Sequence, residues 1–244
     1  MVNNMKTLWE KEYNLRGSDF DKYDHIKPSA ILDLFQDAAG QHANEINVGF
    51  SDLLSRGILW VLTRVKFKIV GELSRYQRVV VKTWPLAPNR LNYRREYAIE
   101  DLNGNKLVLG SSEWVIIDST ERKFLSVPDL YPFTDGFNTE IMFDEKLRKL
   151  RDFEACGITH VVNANFNDLD INNHVNNIKY ANFVIDAINP EKDDEISVFQ
   201  IDYRKEVVQG DQINILFDRQ NQTILAKGQN NEGEILFSCS IELK

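Results

Sequence analysis

The sequence predicts an α+β protein built from two similar copies, each with one long helix and a set of antiparallel strands. Three observations support this prediction. Apolar residues recur at helical spacing once in each half of the chain. Four strand-length segments follow each helix, and several of them alternate between apolar and polar residues. A hairpin signal rich in Asn, Asp and Gly lies at 101–105 and again at 230–234.

The first copy opens with a strand predicted at 8–15, followed by a polar loop. Pro28 suits the first turn of the next helix, where a backbone N–H would have no helical partner. The apolar stripe of that helix is Ala30, Ile31, Leu34, Phe35, Ala38 and Ala39. A short helix is predicted at 51–56, with Ser51 as its N-cap and Gly57 after its end. The remaining strands are predicted at 59–70, 78–85, 94–101 and 108–118.

The second copy repeats this plan. A strand is predicted at 157–164, and a largely apolar helix follows at 174–188, ended by Pro190. Aligning Asp24 with Asp170 relates the two copies. The strands predicted after the helix are 197–207, 212–219, 223–228 and 235–242.

The segment at 119–155 joins the copies and is predicted to be a charged, partly helical linker on the surface, because basic and acidic residues are mixed through it. The predicted division is an N-terminal domain at 1–135, a linker at 136–156 and a C-terminal domain at 157–244. A chain of 244 residues is long enough for one large or two small domains.

Composition excludes several classes of protein. A formal net charge of −8 argues against a general nucleic-acid-binding protein. The longest purely apolar runs, such as 58–62, are too short to span a bilayer, so no stable membrane insertion is expected. Residues 1–15 show neither a signal peptide nor an Arg/Ser-rich transit segment, which predicts a cytoplasmic protein.

The two cysteines, Cys156 and Cys239, form no CxxC pair and no disulfide framework, which fits a reducing compartment. The four histidines are widely separated, and no His/Cys spacing typical of zinc is present. We therefore expect no metal and no other cofactor.

The polar residues of 167–177 form the candidate site, with two carboxylates, five amides and His174. Asn172 or Asn173 is the predicted N-cap of the helix that follows, so the cluster would lie at the mouth of a buried helix. Free backbone N–H groups and the helix dipole favour developing negative charge there, and a histidine titrates near neutral pH. Asn and Asp also gather in loops and caps for purely local reasons, which is the structural alternative.

The run Asp-Leu-Asp-Ile-Asn-Asn-His-Val-Asn-Asn-x-x-Tyr, from Asp168 to Tyr180, resembles the active-site loop of the acyl-acyl-carrier-protein (acyl-ACP) thioesterases of plants and bacteria. The shorter part that begins at His174 occurs more widely in hot-dog thioesterases. The resemblance implies a tandem hot-dog fold, with two antiparallel sheets each wrapped round a long helix. It also implies hydrolysis of fatty acyl-ACP, which releases free fatty acid and ends chain elongation.

Thioester hydrolysis needs an activated water, a stabilised oxyanion and a thiolate that can leave. Asp170, Asn172 and His174 can support this chemistry without a covalent intermediate. Glu206 matches the family's acidic residue in a second patch, where the family pattern commonly has a cysteine next and this sequence has Val207. Simple strand alternation places Glu206 on the solvent face unless a bulge re-aims it.

The family resemblance also implies a division of labour. The first copy keeps an acid at Asp24 but lacks the Asn-x-His arrangement, so it is expected to supply scaffold and acyl pocket. The implied partner is acyl carrier protein with a phosphopantetheine-linked acyl chain. Because carrier proteins are acidic, a local basic patch is needed, and monomer and homodimer both remain open. The candidate basic residues are Arg64, Lys66, Lys68, Arg75, Arg78, Arg204 and Lys205.

Three other functions fit the same residues. They are an acyl-CoA thioesterase, a hot-dog hydratase or dehydratase, and a non-catalytic acyl-binding protein. The intact His-Val-Asn-Asn run speaks against the hydratase. The intact Asp170, Asn172 and His174 set speaks against a non-catalytic protein, although Val207 in place of cysteine lends that alternative some weight.

Overall fold

The computed structural model describes residues 7–155, 157 and 159–244 of the chain, so Cys156 lies outside the described residues. Among its described residues the first half contains two α-helices, α1 and α2, and six strands. Its elements are β1 (Trp9–Asn14), α1 (Pro28–Glu45), α2 (Phe50–Ser55), β2 (Ile58–Ile69), β3 (Arg78–Pro85), β4 (Tyr93–Glu100), β5 (Lys106–Asp118) and β6 (Phe124–Leu125).

The second half repeats this order with one helix and five strands among its described residues. Its elements are β7 (His160–Asn163), α3 (Asn177–Ile188), β8 (Ile196–Tyr203), β9 (Gln212–Gln220), β10 (Thr223–Gln229) and β11 (Ile235–Leu243). The predicted strands are all present, and the two-residue β6 is an additional one that the sequence did not predict.

All strands belong to one antiparallel sheet with the order β1-β3-β4-β5-β2-β8-β11-β10-β9-β7, and β6 pairs with β5. From the centre outward the order is β2-β5-β4-β3-β1 in the first half and β8-β11-β10-β9-β7 in the second. Apart from β6, each strand of one half thus has a counterpart in the other, as expected of an internal repeat. The halves meet where β2 pairs with β8, and there the rings of Phe67 and Phe199 stack at 5.3 Å. The α+β class and the two-copy plan are therefore as predicted, with the two sheets joined edge to edge.

Helix α1 lies on the sheet through a buried stripe that includes Ile31, Phe35 and Ala38. The helix approaches the sheet closely because the residue of β5 beneath it is Gly110, which has no side chain. A Cβ on Gly110 would lie 2.2 Å from the Phe35 ring, which itself stacks on Tyr97 at 4.3 Å. Pro28 occupies the first turn, as the sequence predicts.

The N-cap predicted for α2 is wrong. The helix begins at Phe50 after Gly49, whose backbone N–H donates to the Asp52 carboxylate at 3.1 Å. A carboxylate at the third helical position therefore satisfies the cap, and Ser51 lies inside the helix. Gly57 follows the helix with φ +73°, a conformation that favours glycine.

The prediction of a partly helical linker at 119–155 is also wrong, since that segment contains no helix. Beyond β6 the linker crosses the outer face of the sheet without regular secondary structure, because buried and half-buried polar side chains of that face bond its backbone. The Asp202 carboxylate accepts the Leu150 N–H at 2.7 Å, and Arg64 donates to the Leu147 carbonyl at 2.6 Å. These contacts replace the hydrogen bonds that a helix would make.

The linker also occupies much of the expected basic patch. Arg64 is paired with Glu113, Arg204 donates to the Leu150 carbonyl, and the Lys66 ammonium lies over the Phe143 ring. The other candidates apart from Lys68 form ion pairs with acidic neighbours: Arg75 with Asp24, Arg78 with Glu12 and Lys205 with Glu234. None of the helices formed by the described residues combines the length and apolarity needed to cross a bilayer.

Candidate active site

A tight backbone turn brings Asp170, Asn172 and His174 together. The Asp170 N–H donates to the His174 carbonyl at 2.8 Å, and the Asn173 N–H donates to the Asp170 carbonyl at 3.1 Å. Asn173 has φ +61°, a left-handed conformation that asparagine tolerates better than most residues. Isolated bridges from Leu169 to Val175 and from His174 to Val208 fix the base of the turn.

The Asp170 carboxylate shapes this turn. Its Oδ1 accepts the backbone N–H groups of Asn172 at 2.7 Å and of His174 at 3.4 Å. Its Oδ2 lies 3.4 Å from the Asn172 side-chain amide nitrogen. Asp170 therefore orients both the amide and the imidazole of the candidate site.

The predicted N-cap at Asn172 or Asn173 is wrong. Helix α3 begins at Asn177, and the Asn176 side chain caps it by accepting the Ile178 N–H at 3.1 Å. The preceding N–H groups are already bonded, Val175 to the Val207 carbonyl and Asn176 to the Asp168 carbonyl, both at 2.8 Å. The bridges hold 174–176 extended, so the turn lies before the helix. The hydrogen-bond donors that the turn offers to the cavity are therefore side-chain amides and not free N–H groups of the helix.

A bulge brings Glu206 to the same place. The N–H groups of Arg204 and Lys205 both donate to the Leu236 carbonyl, at 2.9 and 3.1 Å. Because two residues on this side face one residue on the partner strand, the side chains beyond Tyr203, where β8 ends, change the face of the sheet to which they point. The Glu206 Oε2 consequently lies 3.5 Å from the His174 Nε2.

The first half contributes Arg122 to this group. Arg122 follows β5 in a turn with φ +58° and donates to the Oε1 of Glu206. The Asp118 carboxylate holds the turn by accepting two backbone N–H groups, and these hydrogen bonds lower the pKa of Asp118. No site role is predicted for Arg122 from the sequence.

Tyr180 forms the floor under the turn. Its ring packs edge-on against Tyr203 at 5.6 Å and Phe237 at 5.1 Å. Burial, and then the negative charges of Glu206 and Asp170, raise the pKa of Tyr180. The hydroxyl therefore keeps its proton at neutral pH.

These groups open onto a cavity of about 740 Å³ formed by both halves. Asp170, Asn172, His174 and Glu206 all line it, so the structure brings the four predicted residues together. Its other walls come from α1, the segment after β6 and strands β2, β4 and β5. They include Ala39 of α1, Trp60, Val61 and Leu62 of β2, Arg95 of β4 and Trp114 of β5. Ala38 is fully buried in the core and is not among the lining residues.

The first half contains a related turn, which changes the alignment of the copies. Asp21 Oδ1 accepts the N–H groups of Tyr23 at 2.8 Å and of His25 at 2.9 Å. Asp21 and His25 therefore correspond to Asp170 and His174, and the proposed match of Asp24 with Asp170 is wrong. A tyrosine stands where the second copy has Asn172. This turn faces a cavity of about 310 Å³.

No thiol is placed to act here among the described residues. Val207 is buried, and its carbonyl accepts the Val175 N–H. Cys239 is buried in β11, and burial raises the pKa of its thiol well above the ordinary value. Across 7–155, 157 and 159–244, no three His, Cys, Asp or Glu side chains are grouped so that they can hold a metal ion.

Comparison with known families covers most of the chain. Residues 6–132 match the model of the acyl-ACP thioesterase N-terminal domain, and residues 157–242 match that of the acyl-ACP thioesterase C-terminal domain.

Curated relatives are plant enzymes. A chloroplastic acyl-[acyl-carrier-protein] hydrolase of Cuphea viscosissima is 27% identical over 214 residues, which cover 82% of this chain and 52% of the relative. A chloroplastic dodecanoyl-[acyl-carrier-protein] hydrolase of Umbellularia californica is 29% identical over 194 residues, 72% of this chain and 50% of the relative. This chain therefore spans about half the length of the curated relatives it matches.

Solved structures share the fold. An acyl-ACP thioesterase from Bacteroides thetaiotaomicron superposes with a TM-score of 0.88 at 21% identity, covering 98% of both chains. A 12:0-ACP thioesterase from Umbellularia californica superposes with a TM-score of 0.84 at 20% identity, covering 100% of this chain and 99% of that one. These likenesses confirm the predicted tandem hot-dog fold.

Proposed function

This chain belongs to the acyl-ACP thioesterase family, and we propose that it hydrolyses the thioester of fatty acyl-ACP, which releases free fatty acid and ends chain elongation. The observation that carries the proposal is the His174–Glu206 pair beside Asn172, on a cavity whose walls include apolar and aromatic side chains. An acid–imidazole pair supplies a general base, and the cavity supplies a place for an alkyl chain.

The proposed reaction is direct attack by water. A water within hydrogen-bond reach of His174 and Glu206 loses a proton to this pair as its oxygen attacks the thioester carbonyl carbon. The carbonyl oxygen becomes an oxyanion, and the Asn172 amide donates a hydrogen bond to it. When the carbon–sulfur bond breaks, the proton returns to the leaving thiolate. No bond forms between the acyl group and the protein.

The other residues position this pair. Asp170 sets the orientation of Asn172 and His174 through the turn, and Arg122 holds the second oxygen of Glu206. Glu206 thus lies between a guanidinium from the first half and an imidazole from the second. This geometry favours a role for Glu206 in orienting His174 towards the water.

We place the acyl chain in the part of the cavity formed by the first half. Its walls there are Trp60, Val61 and Leu62 of β2 and Trp114 of β5, beside the small residues of α1. In this proposal 1–135 supplies scaffold and acyl pocket, 136–156 is the linker, and 157–244 carries the chemistry. Pairing of β2 with β8 within one chain supplies both halves of the site, so the proposal requires no second chain.

The proposed partner is acyl carrier protein, which presents the acyl chain on phosphopantetheine. The proposed compartment is the cytoplasm, because a free, buried Cys239 fits a reducing environment. An acyl-CoA thioesterase remains the second candidate. CoA carries its acyl group on the same phosphopantetheine arm, and in this proposal that arm is the only part of the carrier that enters the cavity.

A comparison of carriers tests the function. The wild-type chain is assayed with the same acyl group attached to acyl carrier protein and to CoA, and free fatty acid is measured. The proposal expects a higher kcat/KM with the carrier protein. Equal or greater activity on CoA would replace it with the CoA thioesterase, and cleavage of neither would indicate an acyl-binding protein without catalysis.

A further inference from the structure

A buried arginine is one of the residues that line the cavity. Arg95 lies on β4, is 6% exposed, and lines the same cavity as His174 and Glu206. The sheet order β8-β2-β5-β4 places β4 three strand spacings from β8, about 14 Å. Glu206 follows the end of β8, so Arg95 lies across the sheet from the candidate catalytic pair.

Hydrogen bonds to a histidine and a threonine hold the Arg95 guanidinium. Its Nη1 donates to the His42 Nδ1 at 2.9 Å and lies 3.2 Å from the Thr83 hydroxyl oxygen. No carboxylate of the described residues forms an ion pair with it. Arg94, the preceding residue, points to the other face and pairs with Glu96 at 2.5 Å. A buried cation without a neighbouring carboxylate is costly, and its remaining N–H groups need an acceptor or water from the cavity.

The cavity is lined by both polar and apolar side chains. Polar side chains of α1 such as Asp37 and Gln41 line part of it, and apolar and aromatic side chains line another part, where Trp60 and Trp114 pack edge-on at 6.1 Å. An alkyl chain is favoured against those walls because they remove it from water. At Arg95 the preference reverses, since a methyl group that reaches the guanidinium displaces its water and offers no acceptor in return.

We propose that Arg95 sets the longest acyl chain that this enzyme accepts, by placing a hydrated cation at the inner end of the acyl pocket. The inference rests on the proposed function, because it assumes that the acyl chain occupies this cavity. Chains that end among the tryptophans bind and react, and chains that reach Arg95 lose affinity. Arg95 is thus a specificity-determining residue and takes no part in the chemistry.

The test is the chain-length profile of Arg95→Met, which keeps an unbranched side chain and removes the charge. Hydrolysis of straight-chain acyl-ACP substrates that differ by two carbons gives kcat/KM for each length. We expect the upper limit to move to longer chains, with kcat/KM for the first rejected chain rising about 10-fold, within the range that added methylenes produce in apolar pockets. A folded Arg95→Met variant with an unchanged profile would overturn the proposal.

Matched variants separate charge from general disturbance. Arg90→Met makes the same substitution in the exposed β3–β4 turn, where the Arg90 backbone carbonyl accepts a hydrogen bond from the Ser126 hydroxyl. Its profile should equal that of the wild type. Arg95→Lys keeps a cation and should keep the limit, so a limit that moves in this variant contradicts the proposal. Should Arg95→Met fail to fold, Arg95→Gln replaces it, because its amide can still bond His42 and Thr83.

A binding measurement separates this inference from the proposed function. Free fatty acids of graded length are titrated against the protein with a bound fluorescent fatty acid as the displaced probe. The upper length limit for displacement should move in Arg95→Met as it does for hydrolysis. If no acyl thioester is cleaved but the binding limit moves, the proposed function fails and the role of Arg95 stands. If thioesters are cleaved and neither limit moves, only the role of Arg95 fails.

Discussion

At the scale of single residues, Asp170 and Asp21 show that one turn can serve two purposes. Both carboxylates accept the N–H groups two and four residues further on, so the turn itself belongs to the fold. The second copy differs in having Asn172 where the first has Tyr23. It also has the Glu206–His174 contact, whereas no ion pair joins His25 to a glutamate among the described residues.

This comparison gives a prediction for Asp170→Asn. An amide at this position loses the acceptor for the Asn172 side chain and should lower kcat on acyl-ACP by about 10²-fold, the size expected when reacting groups are displaced slightly. Asp21→Asn is the matched control and should leave kcat unchanged. Steady-state kinetics beside circular dichroism spectra would check both, and equal activity of the two variants would contradict the role of Asp170.

The cysteines give a second prediction at this scale. Because Cys239 is buried and burial raises the pKa of its thiol, it is a poor nucleophile. The double variant Cys156→Ser/Cys239→Ser should keep the wild-type kcat. Mass spectrometry of the wild-type protein during turnover should find no acyl adduct, and an acyl group trapped on either thiol would refute the direct attack of water.

At the scale of elements, the sequence predicts strands and helix α1 well and the start of α3 poorly. The signals for α1 are local: Pro28 at its start and a continuous apolar stripe. The start of α3 depends on residues far along the chain, through a β-bridge from His174 to Val208 and a hydrogen bond from the Val175 N–H to the Val207 carbonyl. These contacts override the capping preference of Asn172 and Asn173. The position of Glu206 depends in the same way on a bulge against Leu236.

The seating of α1 on the sheet gives a prediction with a matched pair of glycines. Gly110→Ala should destabilise the protein by about 1–3 kcal/mol, because the added methyl group would overlap the Phe35 ring. Gly40→Ala should be neutral or stabilising by up to about 1 kcal/mol, since nothing lies within 4 Å and alanine favours helix. Urea unfolding measures both, and similar losses in the two variants would contradict the close approach.

At the scale of the whole molecule, the class, the repeat and the candidate residues Asp170, Asn172 and His174 could be predicted from sequence, because patterns within short segments carry them. The path of the linker, the contribution of Arg122 and the place of Arg95 in the cavity wall could not. The first two depend on contacts between residues of the two halves, and the third depends on contacts of β4 with α1 and β3. No local sequence pattern encodes any of these contacts.

The linker gives a prediction at this scale. Asp202 is buried, accepts the Leu150 N–H, and lies 3.8 Å from the Arg64 guanidinium. Asp202→Ala should cost about 3 kcal/mol, because it removes one partner of a buried polar group that spans the two halves. Asp144→Ala, an exposed linker position, should stay within about 0.5 kcal/mol of the wild type. Equal unfolding free energies would show that the linker contacts are weak.

The measurement that tests the proposed mechanism most directly compares two histidines in equivalent turns. His174→Ala and His25→Ala are assayed for release of fatty acid from acyl-ACP, with thermal melts as a check on folding. His174→Ala should lower kcat by about 10²-fold or more, as loss of a general base does, while His25→Ala should turn over at the wild-type rate. A folded His174→Ala variant with near wild-type kcat, or equal losses in both variants, would contradict the assignment of the chemistry to the second copy.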